Sequence, residues 1–216
     1  MSAAATVFVI DDDPSVRTAL VRVLRSAGLQ AVAYGSAQEY IEAYDPARRG
    51  CLVLDVAMPD IGGLDLQSML RRKSAAPPIV FLSGHAELSD GIQAMKGGAV
   101  EFLTKPVEDA ALLVAVQAAI EKDKADEAAR EEMEQTRRRL ATLTPRELEV
   151  LRHVLSGMLN KQIAAKLGTV EKTIKVHRSR VMEKMQVSSL AELVRMATRA
   201  GIVAAPAPPA RGVSTG

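Results

Sequence analysis

The chain has 216 residues, 48% hydrophobic and 25% charged, and this composition excludes an intrinsically disordered or collagen-like protein. Its single cysteine, Cys51, excludes an internal disulfide, and its apolar runs are far shorter than the roughly 20 residues that cross a bilayer. The net charge of +2 conceals an asymmetry, because residues 1–120 sum to −4, residues 121–142 to −1 and residues 143–216 to +7. We therefore expect a cytoplasmic protein without a membrane segment, whose acidic and basic halves bind different partners.

Short apolar runs recur through the first half of the chain, and helical patterns of apolar residues lie between them. The runs begin at Thr6, Gln30, Cys51, Pro78 and Val100. Continuous apolar runs that alternate with helices are typical of parallel strands buried on both faces. The sequence predicts an α/β domain over residues 1–121, a (βα)5 doubly wound parallel sheet of the flavodoxin-like type; a barrel would need eight such units.

A charged segment, residues 122–142, separates this domain from the basic half. It contains many helix formers, no glycine or proline, and few apolar positions. We expect an exposed helix that extends the fifth helix of the first domain and serves as a linker. A dimerising coiled coil stays open, although Met133 and Leu140, one heptad apart, are few apolar positions for such a seam.

Residues 143–203 carry only helical signals, which predict an all-α domain of four short helices. Thr144, Pro145 and Glu147 form an N-cap, a first-turn proline and a capping box. Asn160 is expected to cap a second helix, and a third helix runs from Val170–Glu171 to about Met185. The order helix, tight turn, helix is typical of a helix-turn-helix. Residues 204–216 are rich in proline, alanine and glycine, and we expect a disordered tail.

Polar residues follow the predicted strands of the first domain at their carboxyl ends, where open parallel sheets place their sites. The first strand ends in Asp11–Asp13, the third in Asp55 and the fourth in Ser83, and Lys105 follows the fifth. Clustered carboxylates repel each other unless a cation binds, and hard oxygen ligands suit Mg²⁺. A carboxylate beside a metal and a lysine is also a plausible phosphoryl acceptor. Alternatively, Asp11–Asp13 cap the first helix. His85, which follows the fourth strand, is interpreted as a loop residue near the site.

These residues resemble the receiver domain of two-component response regulators over residues 5–120. The matching positions are Asp11-Asp12, Asp55 through Asp60 followed by Gly63, Ser83, and Lys105-Pro106. The resemblance implies that a sensor histidine kinase phosphorylates Asp55 and that Lys105 and Ser83 act on the phosphoryl group. It implies a Mg²⁺ site made by Asp11, Asp12, Asp55 and the backbone carbonyl of Ala57. Ser83 and Phe102 would form the coupled switch, and Asp13 matches no ligand position.

The third helix of the basic domain carries the residues that favour nucleic acid. Lys172, Lys175, Arg178 and Ser179 lie together and suit base edges and phosphates. The domain resembles the LuxR/FixJ-type output domain through Leu143–Glu147, Asn160–Ala164, Leu167-Gly168 and Thr173–His177. The resemblance implies that Lys175, Val176 and Ser179 face the DNA groove and that Lys161 and Arg180 contact phosphates. A solvated basic helix in a protein-binding bundle is the alternative.

Together the two halves indicate a phosphorylation-switched transcription regulator rather than an enzyme. Phosphorylation of Asp55 would reshape the surface formed by residues 87–102, which then forms a homodimer or releases the output domain. Double-stranded promoter DNA is the expected partner, with RNA polymerase a further candidate. Three rivals stay open: a phosphatase or phosphotransferase with Asp55 as nucleophile, a DNA-binding regulator independent of phosphate, and a basic domain that binds RNA or protein.

Overall fold

A computed structural model describes residues 5–73, 75–84 and 88–206, so that His85, Glu87 and residues 207–216 of the predicted tail lie outside the described part. The chain divides into two compact units, residues 1–127 and residues 128–216. The boundary falls inside the segment that the sequence predicts to be a linker. None of the helices among the described residues is long and apolar enough to cross a membrane.

The first unit is built on a five-stranded sheet with the strand order β2-β1-β3-β4-β5, and every pair of neighbours is parallel. This confirms the predicted doubly wound α/β fold. The elements in chain order are β1 (Thr6–Ile10), α1 (Pro14–Ser26), β2 (Gln30–Tyr34), α2 (Ala37–Glu42), β3 (Gly50–Asp55), α3 (Gly63–Leu70), β4 (Ile79–Ser83), α4 (Leu88–Lys96), β5 (Glu101–Thr104) and α5 (Asp109–Ala141).

The central strands are buried on both faces, which explains why they are continuously apolar. Val7, Val9 and Val53 point to one side, where α1 and α5 cover them with leucine, valine and alanine side chains. Phe8 and Leu54 point to the other side, where α2, α3 and α4 pack. Because successive side chains of a strand alternate between faces, each run supplies two cores at once.

Most aromatic rings of the chain gather on the α2 side of the sheet. Tyr40 of α2 lies 5.8 Å from Phe8, 5.5 Å from Tyr34 and 5.9 Å from Tyr44, measured between ring centroids. These tilted and edge-on geometries are the ones that aromatic pairs prefer. The cluster therefore fills the space beside the short helix α2.

Among its described residues, 128–206, the second unit contains four helices after the end of α5, as the sequence predicts. They are α6 (Pro145–Leu155), α7 (Asn160–Lys166), α8 (Glu171–Met185) and α9 (Leu190–Arg199). Their apolar faces meet in one core that includes Leu151, Ile163, Ile174, Val181 and Leu193. Thr144 and Glu147 form the predicted capping box at the start of α6.

The predicted cap of α7 is wrong by one residue. Leu159 occupies the N-cap position, and its backbone N–H donates to the Gln162 side chain at 2.8 Å. Asn160 lies in the first turn instead, and its side chain accepts a hydrogen bond from Arg178 of α8 at 2.7 Å. Asn160 is thus the first residue of α7, and its side chain binds the next helix rather than the backbone of its own helix.

Helix α5 runs without interruption to Ala141, which confirms that the charged segment extends the fifth helix. Within the first unit, Arg49 binds α5 to the sheet. Its guanidinium donates a hydrogen bond to the carboxylate of Asp123, a residue of α5, at 2.6 Å. The other carboxylate oxygen of Asp123 accepts from the backbone N–H of Gly50 at 3.1 Å. The helix is therefore anchored to the start of β3, at the end of the strand opposite Asp55.

Candidate functional site

Three charged side chains meet at the carboxyl edge of the sheet. Asp11 follows β1, Asp55 ends β3, and Lys105 follows β5, so the parallel topology brings all three together. The Lys105 Nζ atom lies 2.6 Å from Asp11 Oδ2 and 3.2 Å from Asp55 Oδ2. The backbone N–H of Lys105 donates to the Ser83 carbonyl at 2.8 Å, which holds the lysine at this edge.

The three consecutive aspartates, Asp11–Asp13, have two different roles. Asp13 is the N-cap of α1 and accepts hydrogen bonds from the backbone N–H and the hydroxyl of Ser15 at 2.7 and 2.6 Å. Carboxylate oxygens of Asp11, Asp12 and Asp55 lie within 4.8 Å of one another. The capping alternative therefore holds for Asp13, whereas Asp11 and Asp12 are brought to Asp55.

Burial controls the ionisation of the central acid. Asp55 is buried, and burial raises the pKa of its carboxyl although the charge of Lys105 acts in the opposite direction. Burial by itself would lower the pKa of Lys105, but the hydrogen bond to Asp11 and the charge of Asp55 outweigh it and the pKa is raised. Lys105 therefore carries its positive charge at neutral pH.

The donor atoms of this edge suit a small hard cation. Asp55 Oδ1 is buried and has no hydrogen-bond partner among the described residues, while Oδ2 faces Lys105. A buried carboxylate oxygen without a partner is costly, so a ligand is expected there. Oxygen atoms from two or three carboxylates match the preference of Mg²⁺, which keeps several of its waters. The residues present thus fit the predicted cation.

The remaining predicted residues of this site surround the cluster. Ser83 is buried at the end of β4 and neighbours Thr104 of β5 in the sheet. Ala57 is exposed in the loop after β3. Phe102 is half-buried in β5, with its ring centroid 6.4 Å from that of Phe81. Its ring lies close to Gly91 of α4, where an added Cβ would meet it at 3.8 Å.

One contributor to this edge was missed from the sequence. Arg17 of α1 donates from its guanidinium to the backbone carbonyl of Asp11 at 2.6 Å. This contact holds the chain at the end of β1, just before Asp12. Arg17 stands one helical turn after Asp13, and that spacing from the N-cap was the available signal.

The surface of α8 presents most of the residues predicted for nucleic acid. Five of them are exposed, namely Lys172, Lys175, Val176, Ser179 and Arg180, and so is Lys161 of α7. Lys175 faces Glu171 across one turn at 3.4 Å. Arg178 differs, because it is half-buried and donates to Asn160. The structure therefore brings six predicted residues to the surface and engages the seventh between α7 and α8.

The second unit also contains a buried ion pair that the sequence did not indicate. Lys184 of α8 lies 2.6 Å from the carboxylate of Glu147, which is 2% exposed. The hydrogen bond from Lys184 and the backbone N–H of Thr144 lower the pKa of Glu147 to about 2. The capping-box motif accounts for Thr144, but no local pattern points to Lys184.

Two family models match the chain and between them cover most of its length. The model described as "Response regulator receiver domain" matches residues 7–117. The model described as "Bacterial regulatory proteins, luxR family" matches residues 141–197. The two matches fall in the sheet unit and in the helical unit respectively.

Curated relatives are similar over nearly the whole chain. Nodulation protein W of Bradyrhizobium diazoefficiens is 45% identical over 203 residues, covering 94% of this chain and 89% of the relative. Transcriptional regulatory protein FixJ of Azorhizobium caulinodans is 40% identical over 205 residues, covering 95% and 97%. Among solved structures, the response regulator StyR gives a TM-score of 0.78 at 43% identity, covering 91% of this chain and 100% of StyR. Full-length FixJ from B. japonicum gives a TM-score of 0.55 at 36% identity, covering 94% of this chain and 100% of FixJ.

Proposed function

The chain belongs to the response regulators of two-component systems, with a receiver domain followed by a luxR-family DNA-binding domain, and from this we propose that Asp55 is its phosphoacceptor. Membership of this family implies a histidine kinase as partner and DNA as ligand, and it makes the chain a transcriptional regulator rather than an enzyme. We also propose a cytoplasmic location, because promoter DNA is the proposed ligand. The observation that carries the proposal is the buried Asp55 carboxylate, with one oxygen facing Lys105 and the other without a partner among the described residues.

The proposed reaction transfers a phosphoryl group from a kinase histidine to Asp55. A carboxylate oxygen of Asp55 attacks phosphorus, an O–P bond forms, the P–N bond breaks, and the leaving imidazole takes up a proton. The ammonium of Lys105 stabilises the negative charge of the phosphoryl oxygens, and the Ser83 hydroxyl supplies a further hydrogen bond. Mg²⁺, when bound by Asp11, Asp12, Asp55 and the Ala57 carbonyl, neutralises charge on the same oxygens.

The added charge has to be accommodated at a buried edge, and this is the proposed origin of the switch. An acyl phosphate carries about −1.5 to −2 charge, as a phosphomonoester does. Lys105 and Ser83 move toward it, and Phe102 follows beside α4. The adjoining surface exposes apolar side chains at Leu88, Ile92 and Met95. Burial of such a patch favours a homodimer, for which this surface is the proposed interface, with release of the output domain as the other effect.

The proposed DNA-binding surface is the exposed side of α8. Lys175, Val176 and Ser179 would face the base edges, and Lys161, Lys172 and Arg180 would contact phosphates. Arg178 would complete the surface predicted from the sequence, although its guanidinium is engaged with Asn160. Two such units in a dimer would read paired half-sites, and RNA polymerase is a proposed further partner at the promoter.

The experiment that tests this function uses acetyl phosphate and Mg²⁺ as the phosphodonor system. Asp55→Asn should abolish acid-labile phosphoryl incorporation, whereas Asp60→Asn, the same change five residues along the exposed loop, should incorporate like wild type. The wild-type protein should then gain dimer content and select duplexes from a random-sequence DNA pool. Incorporation by Asp55→Asn would refute the acceptor assignment, and equal DNA binding with and without phosphate would refute the switch.

A further inference from the structure

The last turns of α5 pack against the core of the DNA-binding unit. Thr136 is 4% exposed, and Leu140 packs against the core shared by α6, α8 and α9. Glu132, one turn earlier, forms an ion pair with Arg199 of α9 at 3.1 Å. A solvated linker would leave Thr136 and Leu140 in water. The segment from residue 128 to 141 is therefore built into the unit that also contains α8.

Two basic side chains join the end of α5 to the end of α8 in a reciprocal arrangement. The Arg139 guanidinium of α5 donates to the backbone carbonyl of Met185, the last residue of α8, at 3.2 Å. Lys184 of α8 donates to the carbonyl of Thr142, just beyond α5, at 3.0 Å. The final carbonyls of a helix have no partner within the helix and carry partial negative charge, so each cation stands where it is favoured.

We propose that Arg139 is a positioning residue for DNA binding, which holds the carboxyl end of α8 from the linker helix. The inference rests on the proposed role of α8 as the helix that enters the major groove. Helix α8 ends at Gln186 in the left-handed conformation, with a φ of 55°, so the chain turns away immediately after Met185. The hydrogen bond from Arg139 therefore contacts the last residue of α8.

The same geometry argues against a direct DNA contact by Arg139. Its guanidinium is turned toward the Met185 carbonyl, and the side chain is half-buried. Lys175 and Ser179, by contrast, occupy the exposed middle of α8, two to three turns from that carbonyl. Arg139 acts on the DNA surface only by fixing the orientation of the helix that carries these residues.

The test compares two full-length variants that remove the same charge from neighbouring positions. Arg139→Gln removes the proposed contact. Arg138→Gln is the matched control, because the Arg138 side chain is 76% exposed and pairs with Glu134 of its own helix. Affinity for a duplex selected by wild type is measured at several salt concentrations. Hydrogen exchange of the backbone amides of residues 183–188 is followed without DNA.

Arg139→Gln should bind the selected duplex about three- to tenfold more weakly, because one charge-assisted hydrogen bond is lost. The slope of affinity against salt should stay that of wild type, since no phosphate contact is removed. Exchange of the amides at the end of α8 should accelerate. Arg138→Gln should match wild type in all three measurements, and Arg139→Lys, which keeps a cationic donor, should recover most of the loss.

Each other outcome overturns the inference in a distinguishable way. Unchanged binding and exchange in Arg139→Gln would show that α8 needs no such support. A salt slope reduced by about one would make Arg139 a phosphate contact. An equal loss of affinity in Arg138→Gln would show that the effect comes from the net positive charge of the chain and not from the contact with Met185. If wild type binds no DNA, the proposed function fails, while the exchange measurement still decides whether Arg139 holds α8. If Arg139→Gln does not fold, Arg139→Met, which keeps the aliphatic part of the side chain and lacks the donor, carries the same comparison.

Discussion

Each unit of the molecule buries an acid beside a lysine, yet the two acids are shifted in opposite directions. In the receiver, Asp55 lies 3.2 Å from Lys105 and its pKa is raised. In the DNA-binding unit, Glu147 lies 2.6 Å from Lys184 and its pKa is lowered to about 2. The residue types are alike, so the surroundings of each pair must account for the difference.

The balance between burial and hydrogen bonding separates the two acids: burial is the largest influence on the pKa of Asp55, and the hydrogen bond from Lys184 is the largest on that of Glu147. Lys105 is shared, because Asp11 takes its closest contact at 2.6 Å, and Asp55 keeps an oxygen without a partner among the described residues. The Glu147 carboxylate accepts a hydrogen bond from Lys184 and another from the backbone N–H of Thr144, the latter at 2.9 Å. Hydrogen bonds to the charged form lower an acid's pKa, and burial without them raises it.

The comparison distinguishes a site that awaits a ligand from a pair that holds a fold. The carboxylates of the receiver are assembled with less compensation than their charge requires, which fits the cation proposed for this edge. Glu147 is already satisfied, so it contributes stability and no chemistry. Three predictions test this contrast, beginning with the largest expected effect, and a fourth separates a structural arginine from an exposed one on α8.

Glu147→Gln should lower the free energy of unfolding of the DNA-binding unit by about 3 kcal/mol, because it breaks a buried ion pair and leaves Lys184 without its charge partner. The measurement is chemical denaturation followed by helical circular dichroism. Glu149→Gln is the control on the same helix, since Glu149 is 46% exposed and pairs with Arg146, and its cost should stay below about 1 kcal/mol. A comparable loss in both variants would contradict the contrast.

Acid should remove the contribution of the Glu147–Lys184 pair. Because the pKa of Glu147 is about 2 in the folded protein and 4.5 ordinarily, its stabilisation is complete above about pH 4.5 and falls as the pH approaches 2. The stability difference between wild type and Glu147→Gln should thus shrink by about 2 kcal/mol over this range. Denaturation curves at several pH values measure it, and a difference that is constant with pH would contradict the assignment.

Asp55→Asn should stabilise the receiver at neutral pH by about 1 kcal/mol, since it removes a charge whose partners are incomplete. A raised pKa means that the folded receiver favours the neutral acid, so Asp55 ionisation weakens the unit as the pH rises through the folded pKa. Thermal unfolding at neutral and acid pH measures the gain, which should vanish in acid. Asp60→Asn should leave stability unchanged, and a destabilised Asp55→Asn would contradict the prediction.

Arg178→Gln should weaken duplex binding about threefold without changing the salt slope, because Arg178 holds Asn160 and so fixes α8 against α7. Arg180→Gln, two residues later on the exposed side, should lower the slope by about one if it contacts a phosphate. Titrations at graded salt distinguish the two. If the slope of DNA affinity against salt falls in both variants, Arg178 contacts a phosphate directly.

The sequence predicted the sheet, the helical unit and the acidic edge because these depend on local patterns and on parallel topology. Apolar runs mark buried strands, and the residues after them must share one edge. The Glu147–Lys184 pair could not be predicted because its members are 37 positions apart, and the capping-box pattern gives Glu147 only a local partner. Asn160 was misjudged for a similar reason: its partner Arg178 belongs to another helix, and a cap rule considers only the neighbouring backbone.

The aromatic cluster beside α2 gives the molecule a built-in optical label. The chain has no tryptophan, and its three tyrosines, Tyr34, Tyr40 and Tyr44, all belong to the receiver. Ultraviolet-excited emission therefore arises from that unit alone, whereas far-ultraviolet dichroism is weighted toward the helices of both units. When the two signals are recorded on one sample, their midpoints separate the unfolding of the receiver from that of the DNA-binding unit, without a fluorophore or a cut in the chain.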